Sequence, residues 1–154
     1  LALSNIISKI NTNQFNFSVY DPFLKKNKKI INPFKINFLS KSKDLIKKKF
    51  HIINFGSSIQ YLNNIDIIKK EINFKKVNTI IITNTPISMD KAYISRQSNH
   101  PSLVQNVYTF KRIEKFFKDI GFNIVFVSRN ENQYIACEVK KSKTYSLNLI
   151  LKKN

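Results

Sequence analysis

In 154 residues the sequence holds only two glycines, Gly56 and Gly121, a single cysteine, Cys137, and no tryptophan. Two isolated glycines cannot build a multi-glycine loop around a phosphate or nucleotide. One cysteine excludes an internal disulfide and fits a reducing compartment, and without a CxxC or a His-rich cluster no structural zinc site is expected. No apolar stretch approaches the roughly 20 residues of a spanning helix, and no signal peptide is visible, so a cytoplasmic protein is expected. Acidic residues are scarce as well, with 9 Asp plus Glu against 27 Lys plus Arg and a formal net charge of +18.

Such a charge ordinarily raises nucleic-acid binding first. Here the excess is mostly lysine, with only three arginines, and it is scattered among abundant Asn and Ile, as AT-rich coding produces by drift. The runs Lys25-Lys26, Lys28-Lys29 and Lys47-Lys48-Lys49 suit loops and helix faces, where ammonium groups stay solvated. A nucleic-acid patch remains the alternative, disfavoured by the lack of Arg forks and of interleaved exposed aromatics.

The length is that of one domain, residues 1–154, with room for a real core. Two stretches organise it. FHIINFGSSIQYL (50–62) is an apolar strand-forming run that ends in Gly56-Ser57-Ser58. VNTIIITNTPI (77–87) repeats the plan, a β-branched run broken by the polar tip Thr83-Asn84-Thr85-Pro86. Two strands with small or polar tips, the first followed by a short helical pattern, place a ligand site at the carboxyl edge of an α/β sheet.

Around them, residues 1–10 put Leu3, Ile6, Ile7 and Ile10 at helical spacing. The chain begins at Leu1 rather than Met with this helix, so the native amino terminus is expected to be missing. FNFSVYD (15–21) alternates as a strand and stops at Asp21-Pro22, where Asp21 is either a turn-former or a ligand contact. A short strand is expected at 35–39, a helix at 42–49 capped by Ser42, and another through Ile65, Ile67, Ile68 and Ile72. From about 86 to 108 the periodicity disappears, and this polar insert reads either as a lid or substrate-binding segment or as a surface excursion. Arg96, Gln97 and His100 are its most chemically capable members. TFKRIEKFFKDIG (109–121) is an amphipathic helix with Thr109 as N-cap and Gly121 as its stop, its phenylalanines read as core. FNIVFVS (122–128), QYIACEV (133–139) and YSLNLIL (145–151) complete the chain as antiparallel strands.

Alternating strands and helices closed by an antiparallel hairpin resemble the class I S-adenosylmethionine-dependent methyltransferase fold, a Rossmann-like α/β sheet, mostly parallel, here entered after its first strand. More closely, the succession FGSSIQYL, IITNTPI, a long polar insert, YTFKRIEKFF and YSLNLILKK is similar to an uncharacterised bacterial family of methyltransferases associated with surface-polysaccharide gene clusters. The resemblance covers most of the chain. It implies S-adenosylmethionine as cofactor and a carbohydrate or polysaccharide precursor as acceptor.

The family's glycine-rich turn after the first strand has no counterpart here. Residues 1–10 look like the helix that would follow it, and loss of a central strand implies weak cofactor binding by the chain as it stands. The resemblance casts Asp21 as acceptor for the ribose hydroxyls and sets Ser40, Lys41 and Ser42 near the adenine. Gly56, Ser57 and Ser58 match the turn after the fourth strand, where small residues let cofactor and acceptor approach. Gln60 and Tyr61 would line the acceptor side, and Thr83, Asn84 and Thr85 match the tip of the fifth strand. Apart from the resemblance, Arg96 and Gln97 are expected substrate contacts as polar members of the insert. His100 is the candidate general base for a sugar hydroxyl, or a turn residue ahead of Pro101. His51, inside a strand, is read as structural. Two other functions stay open: a basic nucleic-acid-binding α/β module, and a noncatalytic scaffold of the same fold.

Overall fold

The structure, a computed structural model, describes residues 16–20, 36–39, 41–97, 100–130 and 143–154. The chain divides into two compact units, Leu1–Lys48 and Lys49–Asn154. The expected helix at 1–10, Asp21, Ser40 and the expected strand at 133–139 lie outside the described residues.

In the first unit, strands β1 (Ser18–Tyr20) and β2 (Asn37–Leu39) pair in parallel, Val19 facing Phe38. The helix expected at 42–49 is only a 3-10 turn at Ser42–Asp44, and Ser42 is not its side-chain cap. Lys43 and Lys47 are like charges at i,i+4, and so short a segment cannot repay helix nucleation.

The second unit is built on a six-stranded sheet. Its strands are β3 (Ile52–Gly56), β4 (Thr79–Ser88), β5 (Tyr93–Gln97), β6 (His100–Thr109), β7 (Phe122–Arg129) and β8 (Thr144–Lys153). They run in the order β5-β6-β4-β8-β7, with β3 also on β4. Helix α1 (Ile67–Glu71) lies between β3 and β4, and α2 (Phe110–Asp119) between β6 and β7.

The sheet is mixed, which corrects the expectation of a mostly parallel one. β3/β4 and a two-pair contact between β4 and β6 are parallel, whereas β5/β6, β4/β8 and β7/β8 are antiparallel. Two features account for the difference. β8 enters between β4 and β7 against the direction of both, and the stretch read as an aperiodic insert is a β-hairpin, β5–β6. That hairpin escapes hydrophobic patterning because its alternation is inverted. Polar Ser95 and Gln105 are buried and directly paired, while Ile94 and Val104 are 69% and 54% exposed.

The core gathers where β-branched and aromatic residues meet. Ile80, Ile82, Leu149 and Leu151 are buried on the paired strands β4 and β8, and Ile113, Phe116 and Phe117 bury the inner face of α2. The helix starts as its sequence predicts, the Thr109 hydroxyl accepting the Arg112 N–H at 3.1 Å. It stops at Gly121, whose φ of +87° suits glycine and turns the chain into β7.

Candidate functional site

β4 does not end at its polar tip. It continues through Pro86 to Ser88, paired to β8 over most of its length, with a register shift between Ile82 and Thr85. There Thr83 and Asn84 face Asn148 alone, a β-bulge. Thr83-Asn84-Thr85-Pro86 reads as a strand end in sequence because the residues that make a bulge also make turns. Asn84 takes up the irregularity with φ +51°, in the left-handed region that Asn tolerates better than most residues. Its N–H donates to Asn148 Oδ1 at 3.0 Å, and Asn148 Nδ2 donates to Ser128 Oγ at 3.2 Å.

β8 occupies one edge of β4, so β3 and β6 share the other. β3 pairs as far as Thr83 and β6 only from Ile87, leaving Asn84, Thr85 and Pro86 in a gap between them. A proline is tolerated at such a break in the ladder. The chain leaving β3 fills the gap. Ser57, with φ +50°, donates its N–H to Thr83 O at 2.9 Å and its hydroxyl to Asn84 O at 3.3 Å. The 3-10 turn Ile59–Tyr61 follows, with Ile59 fully buried. On its far side, Leu62 O accepts from Asn106 Nδ2 at 2.9 Å and from the Tyr108 hydroxyl at 2.7 Å, while the Tyr61 hydroxyl donates to Gln97 Oε1 at 3.1 Å.

The geometry therefore brings Gly56, Ser57, Thr83 and Asn84 together, and joins Tyr61 to Gln97. Ser58 is exposed between the two groups. Gln60 is 4% exposed, and its buried Oε1 has no partner among the described residues. Arg96 is exposed, its carbonyl accepting from Ser95 Oγ at 3.1 Å. His100 opens β6 in register with Gln97, a strand residue rather than a turn residue. Thr85 is buried, its hydroxyl turned back to Thr83 O at 3.2 Å, so it belongs to the scaffold. Lys41 and Ser42 lie in the first unit.

Among the described members of this group no carboxylate is present. Burial raises the Tyr108 hydroxyl above its ordinary 10.0, against the pull of Arg112 and a backbone hydrogen bond from Ile65 and with a smaller push from Asp66, so it stays a donor at neutral pH. Arg112 pairs with Asp66, and Lys69 Nζ sits 5.1 Å from the centre of the Phe116 ring, which ties α1 to α2 beside Tyr108. A set of neutral hydroxyl, amide and carbonyl groups can orient a polar molecule by hydrogen bonds.

No protein-family model matches the sequence, and no curated protein matches it. Among solved structures, the chain is similar to the crystal structure of the glycopeptide N-methyltransferase MtfA complexed with (S)-adenosyl-L-methionine, at a TM-score of 0.46 and 10% identity. The match covers 76% of this chain and 64% of the other.

Sequence reasoning missed Asn106, Tyr108, Ser128 and Asn148. For Asn148 a signal was present: it is an amide in the middle of YSLNLIL, where strand propensity disfavours Asn. No group of His, Cys, Asp and Glu able to hold a metal occurs among the described residues, and no described helix is long and apolar enough to cross a membrane.

Proposed function

We propose that this chain is part of an S-adenosylmethionine-dependent methyltransferase acting on a carbohydrate or polysaccharide precursor. The observation that carries the reading is the meeting of Gly56-Ser57, at the carboxyl end of β3, with the bulge Thr83-Asn84 inside its parallel neighbour β4, next to Gln60 and Tyr61. The antiparallel pair β7/β8 at the end of the sheet agrees with it. Gly56 fits a close ligand approach: a Cβ added there would lie 3.7 Å from Thr83 Oγ1, in ordinary contact, so hydrogen leaves that space open. The cofactor, when bound, supplies the electrophilic methyl group. Ser57, Thr83 and Asn84 hold it by hydroxyl and carbonyl groups. Gln60, Tyr61, Arg96 and Gln97 orient the acceptor, because an in-line displacement depends on positioning. His100 takes the proton of the attacking hydroxyl.

Titration of S-adenosylmethionine followed by amide NMR is the test. Binding near about 1 mM is expected to shift the amides of Ser57, Thr83 and Asn84. Gly56→Ala is expected to change stability by no more than about 0.5 kcal/mol while weakening those shifts, since it crowds the ligand and not the fold. Shifts that are absent, or confined to other residues, would overturn the reading.

One observation favours a second function, nucleic-acid binding. At the amino end of β4, Lys152 Nζ donates to Thr79 Oγ1 at 2.9 Å and Lys153 Nζ to Phe74 O and Lys75 O at 3.3 and 2.8 Å, so ammonium groups are held in place beside exposed Lys75 and Lys76. If these four lysines neutralise duplex phosphates, log K is expected to fall against log salt with a slope of about −3.6. Absence of binding at physiological salt rejects this function.

A further inference from the structure

We infer that Asn148, on a strand opposite the candidate site, is its positioning residue. The observation is a chain of hydrogen bonds. Ser128 Oγ on β7 accepts from Asn148 Nδ2, Asn148 Oδ1 accepts the Asn84 N–H, and the Asn84 carbonyl accepts the Ser57 hydroxyl. The chain crosses the sheet from β7 through β8 and β4 to the turn after β3. Each link has a reason to be there. A bulge deprives one backbone group of its regular ladder partner, and the Asn148 carbonyl replaces it for Asn84. An amide is suited to this, since it accepts on one side and donates on the other. Ser128 uses the second side and so fixes which way the amide faces. With Asn84 held at positive φ, its carbonyl is aimed at Ser57, whose own left-handed conformation is stabilised in return.

The consequence for function rests on the methyltransferase reading: the geometry at Ser57, Thr83 and Asn84 is set by two residues that no ligand needs to touch. Three variants separate this role from ordinary packing. Asn148→Leu removes both bonds, Asn148→Asp keeps the acceptor for Asn84 and loses the donor to Ser128, and Ser128→Ala removes the anchor alone. Asn148→Leu is expected to speed hydrogen exchange at the Asn84 amide, to move the Ser57 and Asn84 resonances, and to weaken S-adenosylmethionine binding about tenfold, the worth of one such hydrogen bond. Asn148→Asp is expected to restore the Asn84 protection and most of the affinity. Ser128→Ala moves the same resonances in the same direction by a smaller amount, which settles the matter should Asn148→Leu fail to fold.

Unchanged Ser57 and Asn84 resonances in Asn148→Leu and Ser128→Ala would overturn the proposal. So would an Asn148→Asp variant indistinguishable from Asn148→Leu. If the unaltered chain shows no S-adenosylmethionine binding at all, the cofactor reading fails, and exchange and resonance positions still decide whether Asn148 sets the turn.

Discussion

Replacement of Phe117 by alanine is expected to destabilise the sheet unit by about 3–5 kcal/mol, the range for deleting a buried aromatic ring. The ring is fully buried on α2, meets Phe116 edge-on at 4.9 Å between centroids, and lies 6.4 Å from Phe55 of β3. Its removal takes away transfer free energy, leaves a cavity and breaks the aromatic pair, and all three act in one direction. Urea unfolding measures the loss directly, and the melting temperature should fall by more than about 10 °C. Phe126→Ala is the control. That ring is 50% exposed on edge strand β7, so its loss should cost well under half as much. A Phe117→Ala cost below about 1 kcal/mol would mean that α2 does not seal the sheet. The site has a stake in the result, because Phe55 immediately precedes Gly56 and a loosened Phe55 loosens the turn at Ser57.

Some of this was legible in the sequence because local and tertiary signals agree. Helix α2 carries Ile113, Phe116 and Phe117 on one face, a capping threonine and a stop glycine, so pattern and caps give one answer. Strands β4 and β8 are apolar runs with Ile80, Ile82, Leu147, Leu149 and Leu151 buried where the pattern says, whereas the apolar runs of β3 and β7 form strands that stay largely half-buried or exposed. The β5–β6 hairpin was hidden because its buried positions hold Ser95 and Gln105, and a scan for hydrophobic alternation sees only their exposed neighbours Ile94 and Val104. The continuation of β4 past Thr83 was hidden for another reason. Its bulge is satisfied by Asn148, 64 residues away in sequence, and no local reading can supply that partner. The same holds for the candidate site. Gly56 and Ser57 were visible as a strand tip, and Thr83 and Asn84 as a polar break that proves to be a bulge, whereas Asn106 and Tyr108 join the site only through the carbonyl of Leu62, a contact of pure tertiary origin.

Ile59→Ala tests whether the turn after β3 is held as a wedge or merely laid on the surface, with an expected cost of about 2–5 kcal/mol. Ile59 is fully exposed to neither solvent nor strand ladder: it is 0% accessible, in the gap that β3 and β6 leave along β4. Its deletion acts on the site as well as on stability, because the same turn orients the buried amide of Gln60, the Tyr61 hydroxyl on Gln97 and the Leu62 carbonyl between Asn106 and Tyr108. Hydrogen exchange separates the two effects. The Leu62 N–H, bonded to Ile59 O at 3.1 Å, should lose protection beyond what global destabilisation accounts for. The Thr83 region, held from β8 by Asn148, should lose no more than the global share. Ile59→Val, which keeps most of the volume, should cost only about 0.5–1.5 kcal/mol and leave Leu62 protected. If alanine and valine are equally mild, the turn is not wedged, and Gln60 and Tyr61 are no more fixed than surface side chains; a large local loss confined to alanine means that the geometry of Gln60 and Tyr61 is set by one isoleucine.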